Sequence, residues 1–204
     1  MKALTILGPA HSIRRVIIVH GYGAGPVAHW FPWLRDTLAA DNIEAIVVTL
    51  PTPNDPEAST WESAVSAAVG TPDEGTWIVA HSLGGITALR VLAALPGAWR
   101  LGGLVLVSGF TGRLSALPML DNYLRADVDA EGLTPNIGVR VVIRSDDDVF
   151  VPSFASDQLA QRLNAGVRIQ AGAGHFLAED GITTLPIVTE ALRINAATSS
   201  YSIQ

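Results

Sequence analysis

The chain contains no cysteine among its 204 residues. This absence excludes a thiol nucleophile, a disulfide framework and a zinc site with cysteine ligands. A chain of this size buries roughly 70% of the surface that its unfolded form exposes, so its core needs neither disulfide nor metal. We therefore predict one α/β domain over residues 1–204, with no cofactor and no metal.

Positive charge and long hydrophobic runs are also scarce. The net charge is −6, and the basic residues form no cluster beyond Arg14-Arg15. Because a phosphate backbone is bound by a basic surface, we expect no nucleic-acid partner. Hydrophobic residues make up 49% of the chain, but they come in short runs, whereas a membrane span needs about 20 in succession. No membrane partner is expected.

The N-terminus resembles a secretory signal only superficially. Its apolar stretch, within residues 3–7, is too short, and Arg14-Arg15 and a predicted strand follow it closely. We therefore expect a cytoplasmic protein. The sequence contains no signal of the oligomeric state.

Short β-branched runs alternate with helical patterns along the chain. This alternation predicts a mostly parallel sheet with helices on both faces. The predicted strands are 16–20, 45–49, 76–80, 103–107, 139–143 and 167–170, with 3–7 as an additional edge strand. The predicted helices are 27–40, 60–69, 83–95, 153–163 and 182–194.

Several details refine this prediction. Pro32 is expected in the first turn of its helix, Ser59 and Glu62 form a predicted capping box, and Pro186 marks a late start or a kink. The connection 108–138 is long enough to predict a binding loop or small lid, although it is too short for a cap domain. The tail 196–204 is predicted to be loosely held.

Ser82 is the predicted nucleophile, because it stands between the strand 76–80 and the helix 83–95. A nucleophile on such a sharp turn has a strained backbone, so the residues two positions away must be small. Gly84 meets this condition, and Ala80 departs from the usual glycine by one methyl group. The turn carries the hydroxyl to the carboxyl end of the sheet, where open α/β folds bind ligands.

A serine nucleophile needs a base, and the base needs an orienting acid. In α/β folds with a nucleophile on a strand–turn–helix, the chain order is serine, acid, histidine. His175 is the only histidine after Ser82, and it lies in a glycine-rich loop past the last predicted strand. His81 is predicted to pack beneath the turn, and His20 to support the loop after the first strand.

Three adjacent aspartates, 146–148, follow the predicted strand 139–143 and supply the candidate acid. Neighbouring side chains project in different directions, so only one of them faces the imidazole. We prefer Asp148, because it precedes Val151-Pro152 by the distance common in enzymes whose serine nucleophile lies on such a strand–turn–helix, and keep Asp147 as the alternative. The remaining two are predicted to cap turns and face solvent.

The glycine-rich loop 20–25 predicts an oxyanion hole, formed by the backbone N–H groups of Tyr22 and Leu83. A dinucleotide-binding interpretation fails, because Pro26 replaces the third glycine and no acidic residue ends the second strand. Four residues are predicted to contact substrate: Gly21, His29, Phe110 and Phe176. The apolar residues of 108–138 either line a pocket or pack on the domain.

Together these segments resemble the RBBP9/YdeN family of small serine hydrolases, within the α/β-hydrolase superfamily. The resemblance rests on 20–23 with 29–34, on 51–56 with Trp61, and on 80–84, 145–152 and 172–176. It implies an α/β-hydrolase fold with little or no cap domain, and a triad of Ser82, Asp148 and His175.

We therefore predict a serine hydrolase of carboxylesterase type that cleaves a small carboxylic ester, thioester or amide. A non-catalytic binding protein on the same scaffold is the alternative. A cofactor-free lyase or haloperoxidase would share the triad.

Overall fold

The computed structural model of the protein describes residues 12–197. Six strands form one parallel sheet in the order β2-β1-β3-β4-β5-β6. Their bounds are Arg15–Val19 (β1), Glu44–Val47 (β2), Thr76–His81 (β3), Leu101–Val107 (β4), Ile137–Arg144 (β5) and Gly166–Ile169 (β6). Each bound lies within two residues of its prediction. The predicted strand 3–7 and the tail residues 198–204 lie outside the described residues.

Helices cover both faces of the sheet, as predicted. They are Phe31–Ala40 (α1), Ala58–Val69 (α2), Leu83–Ala94 (α3), Ala130–Leu133 (α4), Ser153–Arg162 (α5) and Pro186–Ala197 (α6). One core packs α1 and α6 against the sheet, and the other packs α2, α3 and α5 on the opposite face. Within residues 12–197, none of the helices is long and apolar enough to cross a membrane.

Three helices begin at residues other than the predicted ones. The first helix begins at Phe31 rather than at residue 27, because His29 has a φ of 52° that an α-helix does not allow. Pro32 does lie in its first turn, as predicted. The second helix begins at Ala58, with an extended Glu57 before it, so Ser59 lies inside the helix and forms no capping box with Glu62.

The last helix begins at Pro186. Of the two predicted roles of this proline, a late helix start is therefore correct and a kink is not. Proline is favoured there because the first N–H groups of a helix have no partner within it. α6 therefore starts four residues later than the predicted residue 182.

Segment 108–138 contains the one-turn helix α4 and three short 3-10 helices, at Pro118–Leu120, Tyr123–Arg125 and Thr134–Asn136. Most of its apolar side chains are buried in the core on the α3 face, namely Phe110, Leu114, Leu120, Tyr123 and Leu124. Leu117 is partly buried, and Met119 has 60% of its surface exposed. These buried residues therefore favour packing on the domain, one of the two alternatives left open by the sequence.

The pairing of β3 with β4 depends on a residue without a side chain. Gly103 lies opposite Trp77, which is fully buried. A Cβ atom at Gly103 would stand 2.3 Å from the Trp77 ring. Only glycine leaves room for the indole here.

Replacing Gly103 by alanine should therefore lower the free energy of unfolding by about 1–3 kcal/mol, as overpacking of a core does. Urea denaturation measures this change. Gly166→Ala is the matched control, since the nearest atom to its added Cβ lies 4.0 Å away. Equal stabilities of the two variants would contradict the packing argument.

Candidate active site

Ser82 lies on a strained turn between β3 and α3. Its φ is 52° and its ψ −125°, and only 3% of its surface is exposed. Such a backbone conformation persists in a residue other than glycine only where the surrounding structure enforces it. Here the Ser82 N–H donates to the carbonyl of Val107, at the end of the neighbouring strand β4.

Gly84 must be small, as predicted, and the end of β1 is one reason. A Cβ atom at this position would lie 2.5 Å from the carbonyl oxygen of His20 and 2.7 Å from that of Val19. The nearest crowding therefore comes from the backbone at the end of β1. Glycine lets the first turn of α3 pass beside β1, which brings the loop after β1 close to Ser82.

The structure brings His175 between Ser82 and Asp148. The Nε2 atom of His175 is 3.0 Å from the Ser82 Oγ, and its Nδ1 is 2.8 Å from the Asp148 Oδ2. An ionised carboxylate only accepts hydrogen bonds, so Nδ1 carries the proton and the lone pair of neutral Nε2 faces the serine hydroxyl. The three side chains form a continuous hydrogen-bonded chain.

Asp148 is buried but well supplied with donors. Its Oδ1 accepts the N–H groups of Phe150 and Val151, both at 2.9 Å, and its Oδ2 also accepts the Ser108 hydroxyl at 2.7 Å. Burial by itself raises the pKa of Asp148, but the bonds from His175, Val151 and Ser108 outweigh it and lower the pKa below its ordinary value. The carboxylate therefore stays ionised at neutral pH.

Asp147, the alternative acid, contacts a different part of the same loop. Its Oδ1 accepts the backbone N–H of Gly174 at 2.8 Å, and Asp146 accepts that of Gly172 at the same distance. Both aspartates are exposed, as predicted. They bond across to the loop that carries His175, however, rather than only capping their own turn.

The glycine-rich loop after β1 lies against the serine. A Cβ atom at Gly21 would approach the Ser82 Cβ to 2.9 Å. His20 supports this loop as expected, since its Nδ1–H donates to the Gly21 carbonyl and its Nε2 accepts the Leu50 N–H. Within residues 12–197, the N–H groups of Tyr22 and Leu83 donate no hydrogen bond to a backbone carbonyl outside their own elements. Leu83 is the first residue of α3, where such N–H groups are unpaired.

His81 does pack beneath the turn, and it also holds His175. Its Nε2–H donates to the backbone carbonyl of His175 at 2.9 Å, and the two rings lie 4.9 Å apart. The other ring nitrogen is buried with no hydrogen-bond partner in the described part of the chain. Burial, aided by the proximity of His175, lowers the pKa of His81 well below its ordinary value.

The predicted substrate contacts separate into two groups. Gly21 lies beside Ser82, and His29 lies near His81, where its Nδ1 accepts the N–H of Ala178 in the loop after His175. Phe110 and Phe176 have no exposed surface, because they pack in the cores on opposite faces of the sheet. Neither phenylalanine therefore offers an open surface to a ligand in this structure.

A cleft of about 560 Å³ runs beside the site. Its lining residues come from the loop after β1, the loop after β2 and the segment after β4, and are Tyr22, Thr52, Asn54, Asp55, Pro56, Glu57, Met119, Leu120, Asn122 and Tyr123. Tyr22 belongs both to this cleft and to the loop beside Ser82. Within residues 12–197, no cluster of three or more histidine, aspartate or glutamate side chains could hold a metal ion.

Sequence reasoning missed Ser108 and Asp180. Ser108 directly follows β4, has a φ of 47° and donates to Asp148, while Asp180 accepts the backbone N–H of His175 at 2.9 Å. Ser108 could have been found, because it ends a strand next to the one that precedes Asp148. Asp180 follows no such rule, because its contact depends on how the loop 175–181 turns back on itself.

A family model described as serine hydrolase matches residues 16–194. The chain belongs to the serine hydrolase family. YdeN of Bacillus subtilis (strain 168) is 40% identical over 179 residues, which cover 88% of this chain and 94% of YdeN. Serine hydrolase RBBP9 of Rattus norvegicus is 28% identical over 169 residues, which cover 81% of this chain and 88% of RBBP9.

Solved structures agree with the fold of this serine hydrolase. The crystal structure of the B. subtilis YdeN product matches with a TM-score of 0.86 and 39% identity, covering 90% of this chain and 99% of that one. Est1E from Butyrivibrio proteoclasticus matches with a TM-score of 0.66 and 20% identity, covering 90% of this chain and 86% of Est1E. At this identity the match supports the fold alone. The α/β-hydrolase fold and the RBBP9/YdeN resemblance are thus confirmed.

The buried histidines of this serine hydrolase should make its stability depend on pH. Burial lowers the pKa values of His20, His29 and His81 below 6.5 in the folded chain. The unfolded chain therefore binds protons that the folded chain does not, so stability is full above pH 6.5 and falls as the pH drops below it. Urea unfolding at several pH values between 7.5 and 5 measures the slope.

The variant His81→Gln isolates the contribution of His81 to the pH dependence of the unfolding free energy. Glutamine retains an N–H for the His175 carbonyl but does not titrate, so the slope of unfolding free energy against pH should become shallower below pH 6.5. His20 and His29 remain in this variant and preserve part of the slope. An unchanged slope would contradict the assignment of a neutral, buried His81.

Proposed function

We propose that this serine hydrolase cleaves a small carboxylic ester, thioester or amide through an acyl-enzyme, with Ser82 as nucleophile. His175 is the general base and Asp148 orients it. The observation that carries the proposal is the hydrogen-bonded chain from Asp148 through His175 to the Ser82 hydroxyl, with distances of 2.8 and 3.0 Å. A nucleophile, a base and an orienting group in mutual contact are typical of acyl transfer.

In the first step, the Ser82 Oγ attacks the carbonyl carbon of the substrate while its proton passes to the His175 Nε2. The imidazolium that forms is stabilised by Asp148, whose carboxylate already accepts the Nδ1 proton. The C–O, C–S or C–N bond to the leaving group then breaks, and His175 returns the proton to the leaving atom. Water completes the cycle by the reverse sequence, which releases the acid and regenerates Ser82.

The negative charge on the carbonyl oxygen needs donors that are in place before the reaction. The N–H groups of Leu83, at the start of α3, and of Tyr22, in the loop packed against Ser82, are the proposed pair. The positive end of the helix dipole adds to their effect. In a well-studied protease, losing one such donor lowers turnover by about 10²–10³.

The cleft next to Tyr22 favours a compact substrate. Its walls mix polar side chains, such as Asn54 and Asn122, with apolar ones, such as Met119 and Leu120. Much of the apolar surface of segment 108–138 is already buried, which leaves little for a long acyl chain. We therefore place short carboxylic esters first among the candidate substrates, which makes the enzyme carboxylesterase-like.

Covalent labelling tests the nucleophile directly. Wild-type protein should react with a fluorophosphonate probe, and Ser82→Ala should not, because the probe forms a bond to an activated serine oxygen. Ser59→Ala is the control, since Ser59 is exposed and bonds only within the start of α2. Labelling of Ser82→Ala at the wild-type level would remove Ser82 from the mechanism.

Gly21→Ala tests the proposed oxyanion loop. The added methyl group would press on the Ser82 Cβ and displace Tyr22, so kcat for p-nitrophenyl acetate should fall by roughly 10-fold to 100-fold, with little change in KM. Gly25→Ala lies in the same loop with open space around its Cβ and should keep wild-type rates. Similar kinetics for both variants would argue against the loop as a source of donors.

A further inference from the structure

The two loops that meet at His175 are joined residue by residue. Asp146 accepts the Gly172 N–H at 2.8 Å, and the Ser145 hydroxyl oxygen accepts the Ala173 N–H at 3.1 Å. Asp147 accepts the Gly174 N–H at 2.8 Å, and Asp148 accepts the Nδ1 proton of His175. Each residue of 145–148 thus bonds to one residue of 172–175. We call this set of contacts the loop clasp.

The segment held by the clasp has little conformational preference of its own. Gly172 and Gly174 have φ values of 68° and 52°, a region that residues with a side chain seldom adopt. Glycine loses more backbone freedom on ordering than any other residue, so such a loop does not hold a fixed shape unaided. The contacts from 145–147 oppose that freedom at three successive N–H groups.

Asp147 is the central contact of the clasp. It accepts both the Ser145 hydroxyl and the N–H of Gly174, the residue immediately before His175. These two donors lower the pKa of the Asp147 carboxyl, so the stronger, charge-assisted form of both bonds is present at neutral pH. Asp180 holds the other side of the loop by accepting the N–H groups of His175 and Leu177.

We propose that Asp147, with Ser145 and Asp146, is a positioning residue that places the ring of His175 between Asp148 and Ser82. It acts through the main chain of Gly174 and touches no reacting atom. The inference rests on the proposed function, because a position matters for catalysis only if His175 is the base. The three consecutive aspartates then have two distinct tasks. Asp148 binds the ring of His175, whereas Asp146 and Asp147 bind the backbone of the loop that carries it.

The test compares Asp147→Ala with Asp147→Asn. Alanine removes the acceptor, whereas asparagine retains an oxygen that can accept the Gly174 N–H. In Asp147→Ala, we expect kcat for p-nitrophenyl acetate to fall by about 10-fold or more, with KM nearly unchanged, since small displacements of a catalytic group are costly. Asp147→Asn should recover most of that loss. The rate of fluorophosphonate labelling should follow kcat in both variants.

A proton spectrum supplies a readout that needs no substrate. The Nδ1 proton of His175, bonded to Asp148, should give a low-field signal that is sharp in wild type and in Asp147→Asn, and broadened or lost in Asp147→Ala. Asp36→Ala, which removes an exposed carboxylate from α1, should match wild type in every measurement. If wild type is neither active nor labelled, the proposed function fails. The Nδ1 proton signal of His175 then decides by itself whether Asp147 positions the ring.

Two results would overturn the inference. One is wild-type turnover and a wild-type signal in Asp147→Ala. The other is an equal loss of kcat in the alanine and asparagine variants at unchanged unfolding free energy, which would indicate a need for the charge rather than for the acceptor.

Should Asp147→Ala fail to fold, Asp146→Ala takes its place. We expect a smaller loss of kcat in that variant, and an unchanged kcat would count against the loop clasp.

Discussion

The close approach of α3 to the end of β1 is the constraint on which the site depends. Gly84 permits it, because any Cβ there would collide with the carbonyl oxygens of Val19 and His20. Ser82, immediately before α3, holds a backbone conformation that costs of order 1–3 kcal/mol. The fully buried strand β3 and the largely buried helix α3 on either side sustain that cost. This tight contact therefore brings the loop after β1 beside Ser82, whose hydroxyl lies within hydrogen-bond distance of His175.

The parallel sheet supplies the rest of the geometry. The carboxyl ends of all six strands lie at one edge, so the loops after β1, β3, β4, β5 and β6 meet there although they are distant in sequence. Asp148 shows why several loops are needed. A buried carboxylate is costly unless its oxygens are satisfied, and its donors come from Ser108 after β4, from Phe150 and Val151 beside it, and from His175.

Three imidazoles around the site have structural tasks that suit a neutral ring. His20 joins the loops after β1 and β2, His29 holds the loop after His175, and His81 holds the His175 carbonyl. Each uses a ring nitrogen as a directional donor or acceptor in a place where a charged side chain would be poorly solvated. The same choice links the integrity of the site to pH, since protonation of these rings favours the unfolded chain.

The sequence by itself determined the strands, the strand–turn–helix setting of Ser82 and the position of His175. These depend on local periodicity, on glycine placement and on there being one histidine after Ser82. Only the tertiary structure decided that Asp148, rather than Asp147, faces the imidazole, that Asp146 and Asp147 hold the glycine loop, and that Phe110 and Phe176 are buried. Side-chain direction in an irregular loop follows from its individual backbone angles and from partners distant in the chain, and neither is encoded in a repeating pattern.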